Sequence, residues 1–245
     1  MLDLCFDCDD TLYDLQEPFN RSVKQFIPVL PVSLPFFYKV YRKVGDRVFD
    51  LEHEHVITSD DVGIYRIYGA CKELSIPFTL EQAADFQDAY RKYQGQISMQ
   101  PVLHEFFAST SAQVSILTNG QEGHQKDKVR TLGMYDYIGD DAIFTSEGIG
   151  YAKPDAKAFQ TVCDRLSIPY DTMYYIGDNY INDMEGAKQL GFRTIHLNRH
   201  KGKEGPASDY VVYSEAELID LLEHLDAGEA AKKHKFLRQV KKAML

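Results

Sequence analysis

Six short apolar runs, at residues 2–6, 114–117, 142–145, 173–176, 193–197 and 210–213, each end in small, polar or acidic residues. Between them lie helical patterns at 101–109, 125–132, 155–166, 181–190 and 215–224. Strand and helix alternating at this pitch predict an α/β fold, a parallel sheet with helices on both faces. Ligands in such sheets bind beyond the carboxyl ends of the strands, so the residues just after each strand are where chemistry is expected.

One segment breaks the alternation. Residues 15–97 contain no convincing strand, and four stretches (17–26, 35–51, 60–74 and 80–93) read as helix, separated by turn and cap signals such as Thr58-Ser59 and Ser75-Ile76-Pro77. The organisation expected is a catalytic core of residues 1–14 and 98–225, an inserted all-α cap over 15–97 lying over the strand ends, and a basic C-terminal helix or tail over 226–245. The length of 245 residues suits a core with a smaller insert.

Charge narrows the partners. The chain carries 27 Lys and Arg against 37 Asp and Glu, a formal charge of −10. Sequence-independent nucleic-acid binding needs a basic footprint, so no nucleic-acid partner is expected. The exception is local: Lys232, Lys233, Lys235, Arg238, Lys241 and Lys242 stand in 230–245 without an acid, beside Phe236, Leu237, Val240 and Met244 at helical spacing. The favoured reading is a helix docked on or trailing from the core, with an anionic partner as the alternative. Cys5, Cys8, Cys71 and Cys163 form no second pair to complete a zinc site, and buried reduced thiols are expected. The opening residues lack a signal-peptide pattern, and the most apolar stretch, 26–41, is broken by Pro28, Pro31 and Pro35. A cytoplasmic protein without a membrane span is the expectation; the oligomeric state is not indicated.

Carboxylates crowd the end of the first strand as Asp7-Cys8-Asp9-Asp10, followed by Thr11. In extended chain Asp7 and Asp9 project to the same side, and such charges repel unless a cation or a shared proton intervenes. A second cluster, Gly177-Asp178-Asn179-Tyr180-Ile181-Asn182-Asp183, follows the fourth strand. Gly177 would permit a sharp turn, and Asn182 and Asp183 could cap a helix, which leaves Asp178 unexplained. Oxygen ligands from two neighbouring strand ends suit Mg²⁺.

Two further strand ends supply complementary groups. Thr118-Asn119-Gly120 offers a hydroxyl, an amide and a backbone N–H able to face an anion. Lys153-Pro154 places an ammonium near a helix start, with Pro154 suited to the first helical turn.

Asp7-x-Asp9-Asp10-Thr11, Thr118-Asn119-Gly120, Lys153-Pro154 and Gly177-Asp178-x-x-x-Asn182-Asp183 together resemble the four motifs of the haloacid dehalogenase-like superfamily. The resemblance implies a Rossmann-like core and matches the helical insert to that family's first type of cap. It implies Asp7 as a nucleophile forming an aspartyl-phosphate, and Asp9 as the acid and then the base. Mg²⁺ would be held by the Asp7 carboxylate, the Asp9 backbone carbonyl and Asp178. Thr118 and Lys153 would bind the transferring phosphoryl group with Asn119 assisting, and Asp183 would orient Lys153 or metal-bound water. In these roles Asp9 must begin protonated, and neighbouring negative charge is expected to raise its pKa while the metal lowers that of Asp7.

Asp at position 9 is the phosphatase and phosphomutase pattern of that superfamily; its dehalogenases lack an acid there and its ion-pumping ATPases carry Thr. The expected function is therefore Mg²⁺-dependent hydrolysis of a small soluble phosphomonoester, a nucleotide or sugar phosphate. A phosphomutase of the same superfamily and a non-catalytic phosphoester-binding protein are the alternatives. Gln125 and Lys128 after the Thr118 turn resemble the branch holding nucleotide and sialic-acid-type sugar phosphatases. A helical cap favours small substrates over phosphoprotein.

Other polar groups have plainer readings. His53 and His55 lie in the string Glu52-His53-Glu54-His55 but diverge on a helix, so a polar cap face is favoured over a metal string. His196 is expected to be a satisfied loop histidine. Arg42, Arg47, Tyr65, Arg66 and Tyr68 are cap residues able to meet substrate, and Tyr13 and Gln16 stand at the hinge into the cap.

Overall fold

The computed structural model describes residues 1–48, 51, 54 and 56–243, with side chains through residue 230. Glu52, His53, His55 and Met244, and the side chains of the basic C-terminal segment, lie outside the described residues. The chain divides into two compact units, residues 15–97 and residues 1–14 with 98–245.

The smaller unit contains helices α1 (Gln16–Phe26), α2 (Leu34–Asp46), α3 (Ser59–Glu73) and α4 (Leu80–Gln94). Local sequence dictates two of the starts. Thr58 accepts from the Asp61 N–H at 3.1 Å while the Asp61 carboxylate accepts from the Thr58 N–H at 2.8 Å, and Thr79 and Gln82 repeat the arrangement. Each reciprocal pair satisfies two backbone donors that a helix start leaves open. Phe19, Phe37, Tyr41, Ile67 and Phe86 form a buried aromatic-rich core. Helix α2 stops at Asp46, short of the expected residue 51, just after Gly45, a weak helix former.

In the larger unit β1 (Asp3–Phe6), β2 (Gln113–Thr118), β3 (Ile143–Thr145), β4 (Met173–Gly177), β5 (Arg193–Leu197) and β6 (Tyr210–Val212) form one parallel sheet in the order β3-β2-β1-β4-β5-β6. Helices α5 (Pro101–Ser109), α6 (Glu122–Thr131), α7 (Ser146–Ile149), α8 (Ala156–Leu166), α9 (Gly186–Lys188) and α10 (Glu215–Ala243) surround it. Strands β1 to β5 are buried on both sides almost throughout, as a parallel sheet requires, and only the edge strand β6 is partly exposed. Cys5, Leu117 and Tyr175 join Phe159, Val162 and Met184 in one cluster, while Phe6 meets Phe107 of α5 edge-on with ring centroids 5.3 Å apart. The chain leaves β1 for β2 on one side and reaches β4 on the other, so β1 lies at the switch point where α/β sheets bind ligands. Phe6 is level with Ile116 of β2 and with Ile176 of β4, which brings three strand ends into line.

Five local expectations are corrected. Pro154 precedes α8 rather than occupying its first turn, because Asp155 is the N-cap and accepts from the Lys157 N–H at 2.9 Å. Helix α6 begins at Glu122, three residues before position 125. Over 181–190 the chain forms a π-helical segment, Tyr180–Glu185, leading into α9. Its cap is Asn179, whose side chain accepts from Ile181 and Asn182; Asp183 is fully buried and drawn inward instead. Helix α10 also runs past 224 to Ala243, since Ala227, Glu229, Ala230 and Ala231 favour helix despite Gly228. Among the described residues no helix is long and apolar enough to cross a membrane, and all four cysteines are buried and free.

Candidate active site

The β1 end delivers Asp7, whose N–H still donates to Ile176 O of β4 at 2.8 Å and so carries the sheet one residue further. Extended chain ends there. The Leu12 N–H donates to Cys8 O at 3.0 Å, closing a turn, and Asp10 takes the left-handed conformation at φ 58°. Asp9 therefore sits in a turn, and the expected same-side projection of Asp7 and Asp9 by strand alternation does not hold. The two carboxylates meet different cations.

Asp7 meets Lys153. The Lys153 ammonium lies 2.9 Å from Asp7 and 2.7 Å from Asp183, and donates to the Tyr175 hydroxyl at 2.8 Å. Tyr175 in turn donates to Leu117 O at 3.0 Å, so the lysine is anchored between β2 and β4. Burial works against the ammonium, but Asp183 and Asp7 outweigh it and raise the Lys153 pKa, keeping the cation. Burial pushes Asp7 up to about 7 against the pull of Lys153, with Asp183 adding to the rise.

Asp9 meets α6. The Lys128 ammonium stands 2.7 Å from each Asp9 carboxylate oxygen, Gln125 Nε2 donates at 3.2 Å, and the Tyr13 hydroxyl donates at 2.5 Å. Burial alone would raise Asp9, but Lys128 and these hydrogen bonds prevail and hold it at about 2. The expected upward shift of Asp9 is thus overturned, because the nearest strong charge is a lysine that the sequence places 119 residues away.

Asp178 follows β4. Burial and the carboxylates of Asp10, Asp183 and Asp7 raise it well above the usual carboxylate range. One oxygen from each of Asp7, Asp178 and Asp183 lies within 4.8 Å of the others. Three clustered carboxylates, all hard oxygen donors, fit a divalent cation such as Mg²⁺. The Asp9 carboxylate is turned away from that cluster to Lys128. Asp183 is engaged on both oxygens, by Lys153 and by the Asn179 N–H at 2.8 Å, which suits it to orienting Lys153 rather than to ligating.

Two glycines act differently from expectation. Gly177 does not adopt positive φ; its role is space, since a Cβ there would lie 2.4 Å from an Asp183 carboxylate oxygen. Gly120, at φ 141°, gives its N–H to the Ser146 hydroxyl at 2.9 Å, so that donor is already taken. Asn119 likewise grips the Lys153 backbone, not open space: its amide donates to Lys153 O and accepts from the Lys153 N–H. Thr118 is buried, and its hydroxyl donates to Gln125 Oε1 at 3.3 Å.

The remaining candidates are structural in their contacts. His196 lies within β5 rather than in a loop, almost wholly buried, with Nε2 2.8 Å from Asp178 O, and so steadies the Asp178 backbone. Arg199 donates to Asp10 O at 2.5 Å and to Glu215 at 2.8 Å. Arg47 pairs with Glu73 at 2.5 Å, and Arg66 lies beside the Tyr41 ring. Sequence reasoning missed Tyr13 as a partner of Asp9 and Tyr175 as a partner of Lys153. Gln125 and Lys128 were detectable as polar residues three apart on the same helix face as apolar Val129.

The model of the haloacid dehalogenase-like hydrolase family matches residues 4–191. The pyrimidine 5'-nucleotidase YjjG of Escherichia coli is 32% identical over 225 residues, covering 89% of this chain and 96% of that protein. A glyceraldehyde 3-phosphate phosphatase of Methanocaldococcus jannaschii is 30% identical over 115 residues, 46% of this chain and half of that protein. In solved structures, the putative hydrolase YfnB of Bacillus subtilis, determined bound to magnesium, shares the fold with a TM-score of 0.66 at 22% identity over 90% of this chain and 98% of that one. By its matched length, its fold and the carboxylates at its strand ends, the chain belongs to the haloacid dehalogenase-like hydrolases.

Proposed function

We propose that this protein is a magnesium-dependent phosphatase acting on a small phosphomonoester, a nucleotide or sugar phosphate, through an aspartyl-phosphate on Asp7. The observation that carries the reading is the Asp7 carboxylate facing the buried Lys153 ammonium at 2.9 Å, beside the carboxylates of Asp178 and Asp183. The names of the relatives, a pyrimidine nucleotidase and a triose-phosphate phosphatase, support a small phosphorylated metabolite. Residues 15–97 would serve as the cap that excludes water and large substrates.

Asp7, Asp178 and the Asp9 backbone carbonyl would hold Mg²⁺, which when bound offsets the repulsion between the phosphate dianion and Asp7. Lys153 and Thr118 would bind the phosphoryl oxygens and keep the phosphorus in line with Asp7. An Asp7 oxygen attacks phosphorus and the bond to the leaving oxygen breaks; for Asp9 to give that oxygen a proton, substrate binding must first draw it from the Lys128 and Gln125 bonds and protonate it. Water then attacks the aspartyl-phosphate, Asp9 takes its proton, and phosphate departs with Asp7 restored.

Purified protein with Mg²⁺ should release phosphate from a panel of nucleoside monophosphates and sugar phosphates. Asp7→Asn should abolish release, as should chelation of the metal, with recovery on adding Mg²⁺. Turnover that survives either change would overturn the reading.

A further inference from the structure

Gln125 and Lys128 stand one turn apart on α6, both buried, and both reach the turn after β1. Lysine is rarely buried unless paired, and Lys128, at 6% exposure, bonds both carboxylate oxygens of Asp9. Gln125 adds a link to the phosphoryl-binding strand end: Nε2 donates to Asp9 and to Asn119 O, and Oε1 accepts from Thr118. Gly120 makes this possible, for a Cβ there would lie 2.7 Å from Gln125 Nε2. With Tyr13 donating as well, three side chains fix the Asp9 carboxylate in one orientation.

We propose that Lys128, with Gln125, is a positioning residue that holds the Asp9 carboxylate to receive the proton of the attacking water in the second half of the reaction. The inference rests on the reading of Asp9 as the proton-transfer group. An ammonium bonded to both oxygens, with Gln125 and Tyr13 donating beside it, fixes the plane of the carboxylate and hence the direction of its remaining lone pairs. In that step the water oxygen bonds to phosphorus, the bond from phosphorus to Asp7 breaks with its electron pair returning to Asp7, and the water proton passes to Asp9. Removing Lys128 would slow this step and leave the formation of the aspartyl-phosphate largely intact.

The test uses the full chain with Mg²⁺ and p-nitrophenyl phosphate, whose leaving group departs without needing a proton, so the first half does not lean on Asp9. Lys128→Met should lower kcat and KM together, each about 10- to 100-fold, leaving kcat/KM within about threefold of wild type. A burst of p-nitrophenol equal to the enzyme concentration should precede the slow phase, and phosphorylated protein should accumulate. Lys128→Arg should recover part of kcat. Gln125→Met keeps the ion pair and should give the same pattern at about 3- to 10-fold, which preserves the test if Lys128→Met does not fold. A fall in kcat/KM matching that in kcat with no burst, or wild-type kcat in these variants, would overturn the positioning role. Wild-type kcat in Asp9→Asn would instead overturn the reading of Asp9 itself, so the two failures are distinguishable.

Discussion

Asn119 and Lys153 hold each other through two hydrogen bonds: the Asn119 amide donates to Lys153 O at 2.9 Å, and the Lys153 N–H donates to Asn119 Oδ1 at 2.8 Å. The lysine that faces Asp7 is thus fixed at its backbone by the end of β2 and at its ammonium by Asp183 and Tyr175. Asn119→Ala removes both backbone bonds and should lower kcat/KM by about 10- to 100-fold. Steady-state kinetics on p-nitrophenyl phosphate with Mg²⁺ check this; an unchanged kcat/KM would detach Asn119 from the placement of Lys153.

The Lys153 side chain is 2% exposed and that of Asp183 is fully buried. Breaking a buried pair leaves one uncompensated charge, so Lys153→Met should cost about 3–5 kcal/mol of stability in urea denaturation. Adding Asp183→Asn should restore part of that loss, because the stranded carboxylate is gone. Both variants should be inactive. Strictly additive losses would show that the two groups do not couple.

Gly177→Ala should destabilise by about 1–3 kcal/mol through overpacking. The added Cβ would press on Asp183, which cannot withdraw while bound to Lys153 and the Asn179 N–H. Thermal melts of wild type and variant provide the comparison, and equal Tm values would count against this packing.

Acid stability should depend on Asp209, which accepts from Lys188 at 2.6 Å and from the Thr194 N–H at 2.9 Å. Burial pushes its pKa up, but the Lys188 and Thr194 bonds outweigh that and hold it below the ordinary carboxylate value. With the folded pKa below the unfolded one, the contribution is present in full above about pH 4 and fades as pH falls through the folded value. Asp209→Asn should therefore cost about 1 kcal/mol at pH 7, and the gap should close in denaturation series taken toward pH 3. A gap that stays constant across that range would contradict the assignment.

The sheet was readable from the chain because its signal is local. Short apolar runs with acids or small polar residues at their ends, separated by helical periodicity, already imply parallel strands with their carboxyl ends together. That topology brings Asp7, Thr118 and Asp178 to one edge without any knowledge of side-chain contacts. Reciprocal caps at Thr58 and Thr79 were equally local, since every atom involved lies within four residues.

What the sequence alone determined was which groups line the strand ends; only the tertiary structure decided how they pair. Asp9 lies two residues from Asp7 in the chain, yet its partner is Lys128, 119 residues away, while Asp7 faces Lys153. Gly177 read as a turn residue and proves to be the space that Asp183 fills. Pairings of this kind depend on distances between elements far apart in the chain, and a cation 2.7 Å away outweighs the neighbouring charges that sequence adjacency suggests.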